Sequence, residues 1–120
     1  MSDLTNVVKY KNATISSGQT TSAEISCDLV SSGEYQLHAL EFPAAMTGAT
    51  ITFTGSRTSG GTFVTLKEVG GASTYTVTVT ASSGVSVDPR VFATWPYIKL
   101  VSASAEGADR TIVVHLREIE

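Results

Sequence analysis

Residues 40–66 read LEFPAAMTGATITFTGSRTSGGTFVTL, and their pattern decides the fold class. Across residues 49–54 the side chains alternate strictly, with Ile51 and Phe53 on one side and Thr50, Thr52 and Thr54 on the other. A period of two marks a strand with one face in a core and the other in water. Pro43 lacks the N–H that a ladder needs, so the strand before it ends there. Residues 56–61 are a turn-rich link in which Gly60 and Gly61 supply positive φ for a hairpin-like reversal. Residues 62–69 then resume an extended pattern.

The same period extends in both directions. Upstream, residues 35–42 set Tyr35, Leu37 and Ala39 against Gln36, His38, Leu40 and Phe42. Both faces are partly apolar, which predicts a central strand covered on both sides. Residues 22–29 place Cys27 on a face with Ala23, Ile25 and Leu29. Residues 16–21 form a loop turning at Gly18, residues 30–34 a second turn, and residues 4–10 a loose leading strand or arm that ends near Lys9 and Lys11. Downstream, residues 70–73 turn, and residues 74–80 alternate with Tyr75, Val77 and Val79 inward. Residues 82–84 turn before a short strand at 85–87. Asp88-Pro89 is a helix-start signature, an oxygen acceptor followed by a proline whose missing N–H does no harm in a first turn. One helical turn is expected over residues 89–93, ended by Trp95-Pro96, a bond that sequence leaves open to either isomer. Residues 97–103 are a strand and residues 106–109 a loop around Gly107. Residues 111–119 close the chain with Ile112, Val114 and Leu116 inward, and with Thr111, Val113, His115 and Arg117 on the other face.

About eight short strands at regular spacing, with no amphipathic helix of useful length, predict an all-β chain. The expected fold is a two-sheet β-sandwich of jelly-roll type, with a closed barrel as the alternative. The expected organisation is an N-terminal arm over residues 1–12 and a single domain over residues 13–120.

At 120 residues a single domain buries roughly two-thirds of the surface its unfolded chain exposes, so no disulfide or metal staple is required. A net charge of −3 and a pI near 5.3 argue against a nucleic-acid surface, which concentrates Lys and Arg. Only 16% of the residues are charged while Ser and Thr abound, a composition that suits an assembly-competent β surface. Cys27 is the single cysteine, so no intrachain disulfide forms; it reads as a small buried hydrophobe, or else a reactive thiol. The first residues, MSDLTNVVKYKN, lack a charged-then-apolar leader, and no apolar run approaches ~18 residues. Synthesis in a cytoplasm and no membrane partner are the expectations. Asn12-Ala13-Thr14 matches a glycosylation acceptor by chance in that setting.

Convergent chemistry is not evident. His38 and His115 have no metal-ligand spacing, and they read as a half-buried strand residue and a surface residue. No nucleophile elbow, phosphate-cradling loop or dinucleotide fingerprint occurs. No enzyme activity, catalytic residue, cofactor or metal is therefore expected. Phe92, Trp95 and Tyr97 gather around the one helical turn and are the candidate contact residues, as an anchor for a partner or a platform for a sugar. The competing reading is that the Trp-Pro-Tyr segment plugs the open end of the sandwich.

Two segments together resemble a family of small tailed-phage virion proteins. The first, EFPAAMTGATITFTGSRTSGGTFVTL, carries Phe42, Pro43, Met46, Ile51, Thr52 and Phe53 in the family's strand-then-glycine-turn pattern. The second is DPRVFATWPYIKLVSAS followed by DRTIVVHL. It carries Asp88, Pro89 and Phe92 in the turn, Tyr97, Ile98, Lys99 and Leu100 in the strand, and the Asp109–Arg110 pair. The match spans roughly residues 35–116. It implies a non-enzymatic virion component, a capsid decoration (cement) or head-fibre protein. Such a protein would bind the major capsid protein and its own copies as a homo-oligomer such as a trimer. No functional residues come with the resemblance. The N-terminal arm, residues 1–12, is the segment expected to dock on the shell or swap to a neighbour. Residues 97–100 also resemble the late strand of galactose-binding-like modules, with Lys99 where arginine is commoner. That implies a carbohydrate- or receptor-binding module of a fibre or tail as the alternative.

Overall fold

The computed structural model describes residues 8–27 and 34–119. The turn expected at residues 30–34 (all but Glu34), the last two residues of the strand expected over 22–29, and the first seven residues of the arm lie outside that range. Among the described residues nine strands form: β1 (Val8–Ile15), β2 (Ile25–Ser26), β3 (Glu34–Glu41), β4 (Thr50–Ser56), β5 (Val64–Thr65), β6 (Val77–Thr78), β7 (Gly84–Ser86), β8 (Tyr97–Ser102) and β9 (Arg110–Ile119). One 3-10 turn covers Pro89–Phe92.

Two antiparallel sheets face each other. Sheet 1 has the order β1-β9-β3-β7, and sheet 2 the order β2-β8-β4-β5, with β6 also pairing with β4. From β1 to β4, and again from β7 to β9, the chain crosses from one sheet to the other at every step. That is the strand order of a jelly roll, and the predicted sandwich holds. The inward faces carry Ile15, Leu37, Leu40, Ile51, Phe53, Ile98, Leu100, Ile112, Val114 and Leu116, all buried. Each such side chain contributes about 1.5–3 kcal/mol by leaving water. In β4 and β9 the alternation read from sequence is the one observed: Ile51 and Phe53 are buried with Thr50, Thr52 and Thr54 half-exposed, and Ile112, Val114 and Leu116 are buried in turn.

Strand β3 departs from the expectation of two covered faces. Its register against β9 shifts between Leu37 and Ala39, where a bulge inserts one extra residue. The shift reverses the phase, so Leu37 before the bulge and Leu40 and Phe42 after it all reach one core. What looked like two apolar faces is one face read across a change of phase.

Other boundaries moved for local reasons. The expected arm boundary at residue 12 falls inside β1, because Val8–Ile15 pairs residue for residue with β9. Val64 and Thr65 are exposed, and of residues 62–69 only Leu66 is buried, so β5 is two residues long. The 3-10 turn follows the capping signature: Asp88 Oδ1 accepts from the Arg90 N–H at 3.0 Å. Among the described residues no peptide bond is cis, so Trp95–Pro96 is trans.

Candidate functional site

The three aromatic residues singled out from sequence share one end of the sandwich, but they do not form a common platform. Phe92 is 1% exposed and packs edge-on against Phe53 and Tyr75, at ring distances of 4.9 and 5.8 Å. It has no surface to offer a partner, which corrects its place among the contact residues. The 3-10 turn carries it inward, and the Asp88 N–H donating to the Tyr75 hydroxyl at 2.8 Å fixes the third ring. Trp95 is half-buried against the core and lies on Gly55 of β4; a Cβ built at Gly55 would sit 2.9 Å from the indole. Tyr97 is half-buried on β8, in the alternate phase to the buried Ile98 and Leu100.

Sequence gave no sign of the best-ordered polar cluster. Glu106, at the start of the loop expected over residues 106–109, is 1% exposed. Its carboxylate accepts from the Thr47 N–H at 2.7 Å, the Gly48 N–H at 3.0 Å, Ser102 Oγ at 2.6 Å and Arg110 Nε at 3.1 Å. Burial by itself would raise its pKa, but the Ser102, Thr47, Gly48 and Arg110 donors outweigh that and lower it to about 2. The cluster ties the segment after β3 to the β8–β9 loop. With every donor already aimed at the carboxylate, it is a structural clasp. The only sequence trace is the four-residue spacing Ser102, Glu106, Arg110, a helical spacing in a stretch that forms a strand end, a loop and a strand start.

Two surface regions are better placed to meet other molecules. The large hydrophobic side chains exposed among the described residues are Val8, Tyr10, Val64 and Val69. Val8 and Tyr10 stand on β1, one of the two outer strands of sheet 1 and the longest outer strand among the described residues; Val64 and Val69 belong to β5 and the loop after it. Because β1 touches β2, and β5 closes the opposite end of the β2 sheet, the two pairs occupy opposite edges of the sandwich.

The second region is a trough of about 340 Å³ on the outer face of sheet 1, lined by residues of all four strands: Val8, His115 and Arg117, His38 and Ala39, and Ser86. Across it Tyr10 meets His115 edge-on at 4.8 Å, and His115 Nε2 lies 2.9 Å from Glu41 Oε2. Partial burial, and then the Arg117 charge, lower the pKa of His38. The bulge is what brings His38 and Ala39 together on this wall. Cys27 is buried, as a small hydrophobe would be. Among the described residues no three His, Cys, Asp or Glu side chains are grouped to hold a metal ion.

No family model and no curated protein matches this chain. Among solved structures, a chain of the Bacillus endospore appendages, a family of disulfide-linked pili, is similar at 16% identity with a TM-score of 0.39, over 98% of this chain and 93% of that one.

Proposed function

We propose that this protein is a structural component of a particle, of the phage decoration type that its sequence resembles, and that it works by packing against copies of itself and a larger shell. The observation that carries this reading is the placement of the exposed apolar side chains. Val8 and Tyr10 lie on one edge of the sandwich and Val64 and Val69 on the opposite edge. Two different patches on opposite edges suit a head-to-tail contact, which closes into a ring when the rotation allows. A trimer is the expected ring. Around these anchors the surface is largely neutral hydroxyl, from exposed Thr14, Thr65, Thr76, Thr78, Thr80 and Thr111. Such a surface makes many weak contacts that add up by repetition on a symmetric shell.

The sugar-binding alternative gains no support from the aromatic residues, since Phe92 is in the core and Trp95 rests on Gly55. The direct test measures mass in solution by light scattering, then binding to empty phage heads by co-sedimentation. A closed oligomer that saturates on the heads supports the proposal. A monomer at high concentration that leaves the heads bare overturns it.

A further inference from the structure

Three of the four arginines are engaged within the chain. Arg90 pairs with Asp88 at 2.9 Å and Arg110 with Glu106 at 3.1 Å, and Arg117 is not free either. Arg57 is exposed in the loop between β4 and β5, and its guanidinium has no hydrogen-bond or ion-pair partner among the described residues. It is the one charged side chain lining a pocket of about 450 Å³, with Ser56, Thr58, Gly61 and Thr62 around it. The loop is held in place. Ser56 Oγ donates to the Thr58 carbonyl at 2.7 Å, and the Gly61 N–H donates to the same oxygen at 3.1 Å. Glu24 accepts from Ser59 Oγ and from the Gly60 N–H. An unpaired guanidinium on a braced loop can take a carboxylate at little ordering cost. We infer that this carboxylate is Glu41 of a second copy, and that the Arg57–Glu41 pair sets the register of the head-to-tail contact, an inference that rests on the assembly reading above.

Glu41 fits by position and by unused bonding capacity. Its Oε2 lies 2.9 Å from His115 Nε2, Oε1 has no partner among the described residues, and the side chain is 55% exposed. In the ladder Glu41 faces Val113, and Val113 faces Asn12, so Glu41 shares the outer face of sheet 1 with Val8 and Tyr10. The other carboxylates among the described side chains are engaged or misplaced. Glu24 and Glu106 hold loops, Asp88 holds Arg90, and Asp109 takes the Ser17 N–H. Glu68 stands beside Val69, on the same edge as Arg57. On the receiving copy the Arg57 loop leads directly into Val64, so the guanidinium arrives together with the apolar patch. Strand β1 does not repel it, because Lys9 and Lys11 alternate with Val8 and Tyr10 and turn inward, to the Tyr35 ring and the Ser26 carbonyl. Arg117 lies four residues from Val113 along β9, about 14 Å away. Glu24, the acid that holds the Arg57 loop, is faced by the charge of Lys99.

The test is charge reversal, read by sedimentation equilibrium at low salt. Arg57→Glu and Glu41→Arg should each weaken self-association at least about ten-fold, because each brings like charges together. The double variant Arg57→Glu/Glu41→Arg, and an equimolar mixture of the two single variants, should regain association to within about three-fold of wild type. Melting followed by circular dichroism should stay within about 3 °C of wild type, since both side chains stand in solvent. Single variants that associate like the wild type would overturn the ion pair and leave the assembly reading standing. A double variant no stronger than the singles would do the same. A wild type that stays monomeric would remove the assembly reading, and this pair with it.

Discussion

Glu106 accepts a 2.6 Å hydrogen bond from Ser102 Oγ, and neither residue is open to solvent. Three further donors converge on the same carboxylate, from Thr47, Gly48 and Arg110. The group ionises more readily in the folded chain than in the unfolded one, so its contribution is complete above pH 4.5 and is lost as pH falls toward about 2. The difference corresponds to on the order of 3 kcal/mol. Urea titrations between pH 2 and pH 6 should show stability falling through that window. In Glu106→Gln the slope should flatten, and stability at pH 7 should drop by about 2–4 kcal/mol, because the amide nitrogen faces a donor. A mutant that keeps the wild-type pH profile would mean that the clasp does not form.

Gly55 and Trp95 are similarly exclusive. A Cβ at position 55 would approach the indole to 2.9 Å, and the ring is rigid. Gly55→Ala is therefore expected to lift Trp95 off β4, at a cost of about 1–3 kcal/mol. A red shift in tryptophan emission should accompany the loss. Unchanged emission and stability would show that the ring relaxes without leaving.

The head-to-tail contact makes a distinctive prediction about mixtures. Tyr10→Ser and Val69→Ser should each weaken self-association at least ten-fold. Each variant keeps one good patch, on opposite edges, so an equimolar mixture should recover a mixed dimer visible in light scattering. A two-fold contact joining the same patch on both copies would not be rescued by mixing, and that outcome would rule out the ring geometry.

A glycan array separates the structural reading from the sugar-binding one. The wild-type protein is expected to give no signal above background. Trp95→Ala should cost about 3 kcal/mol of stability through lost packing and leave the array unchanged. Sugar binding that disappears in Trp95→Ala while the fold persists would reverse the assignment.

Deleting His38 should be tolerated. Leu37 pairs with Leu116 and Ala39 with His115, so His38 is the extra residue, and its removal leaves Leu37, Leu40 and Phe42 inward in one unbroken alternation. The deletion is expected to keep cooperative unfolding in circular dichroism, whereas inserting one Ala between Ala39 and Leu40 would turn Leu40 and Phe42 to the opposite face and abolish it. A cooperatively folded insertion variant would show that β3 can slip its register at little cost.

Local alternation by itself determined the fold class. Ile51 and Phe53 in β4, and Ile112, Val114 and Leu116 in β9, are spaced by the two-residue period, and burial of one face per strand calls for an all-β sandwich or barrel. Punctuation was also readable, since Pro43, Gly18 and the Asp88-Pro89 pair act through their own backbone geometry. What only the tertiary structure decided depends on residues far apart in sequence meeting in space. The bulge at His38 is defined by β9, some 75 residues later, and it turns two apparent apolar faces into one. Glu106 becomes a buried clasp because Thr47 and Gly48 bring their N–H groups to it from the other side of the chain. Phe92 passes from candidate contact to core because Phe53 and Tyr75 wait for it there. A period reports which way a side chain points relative to its neighbours in sequence; which atoms it meets is set by strand pairing and sheet packing, and no local pattern carries that.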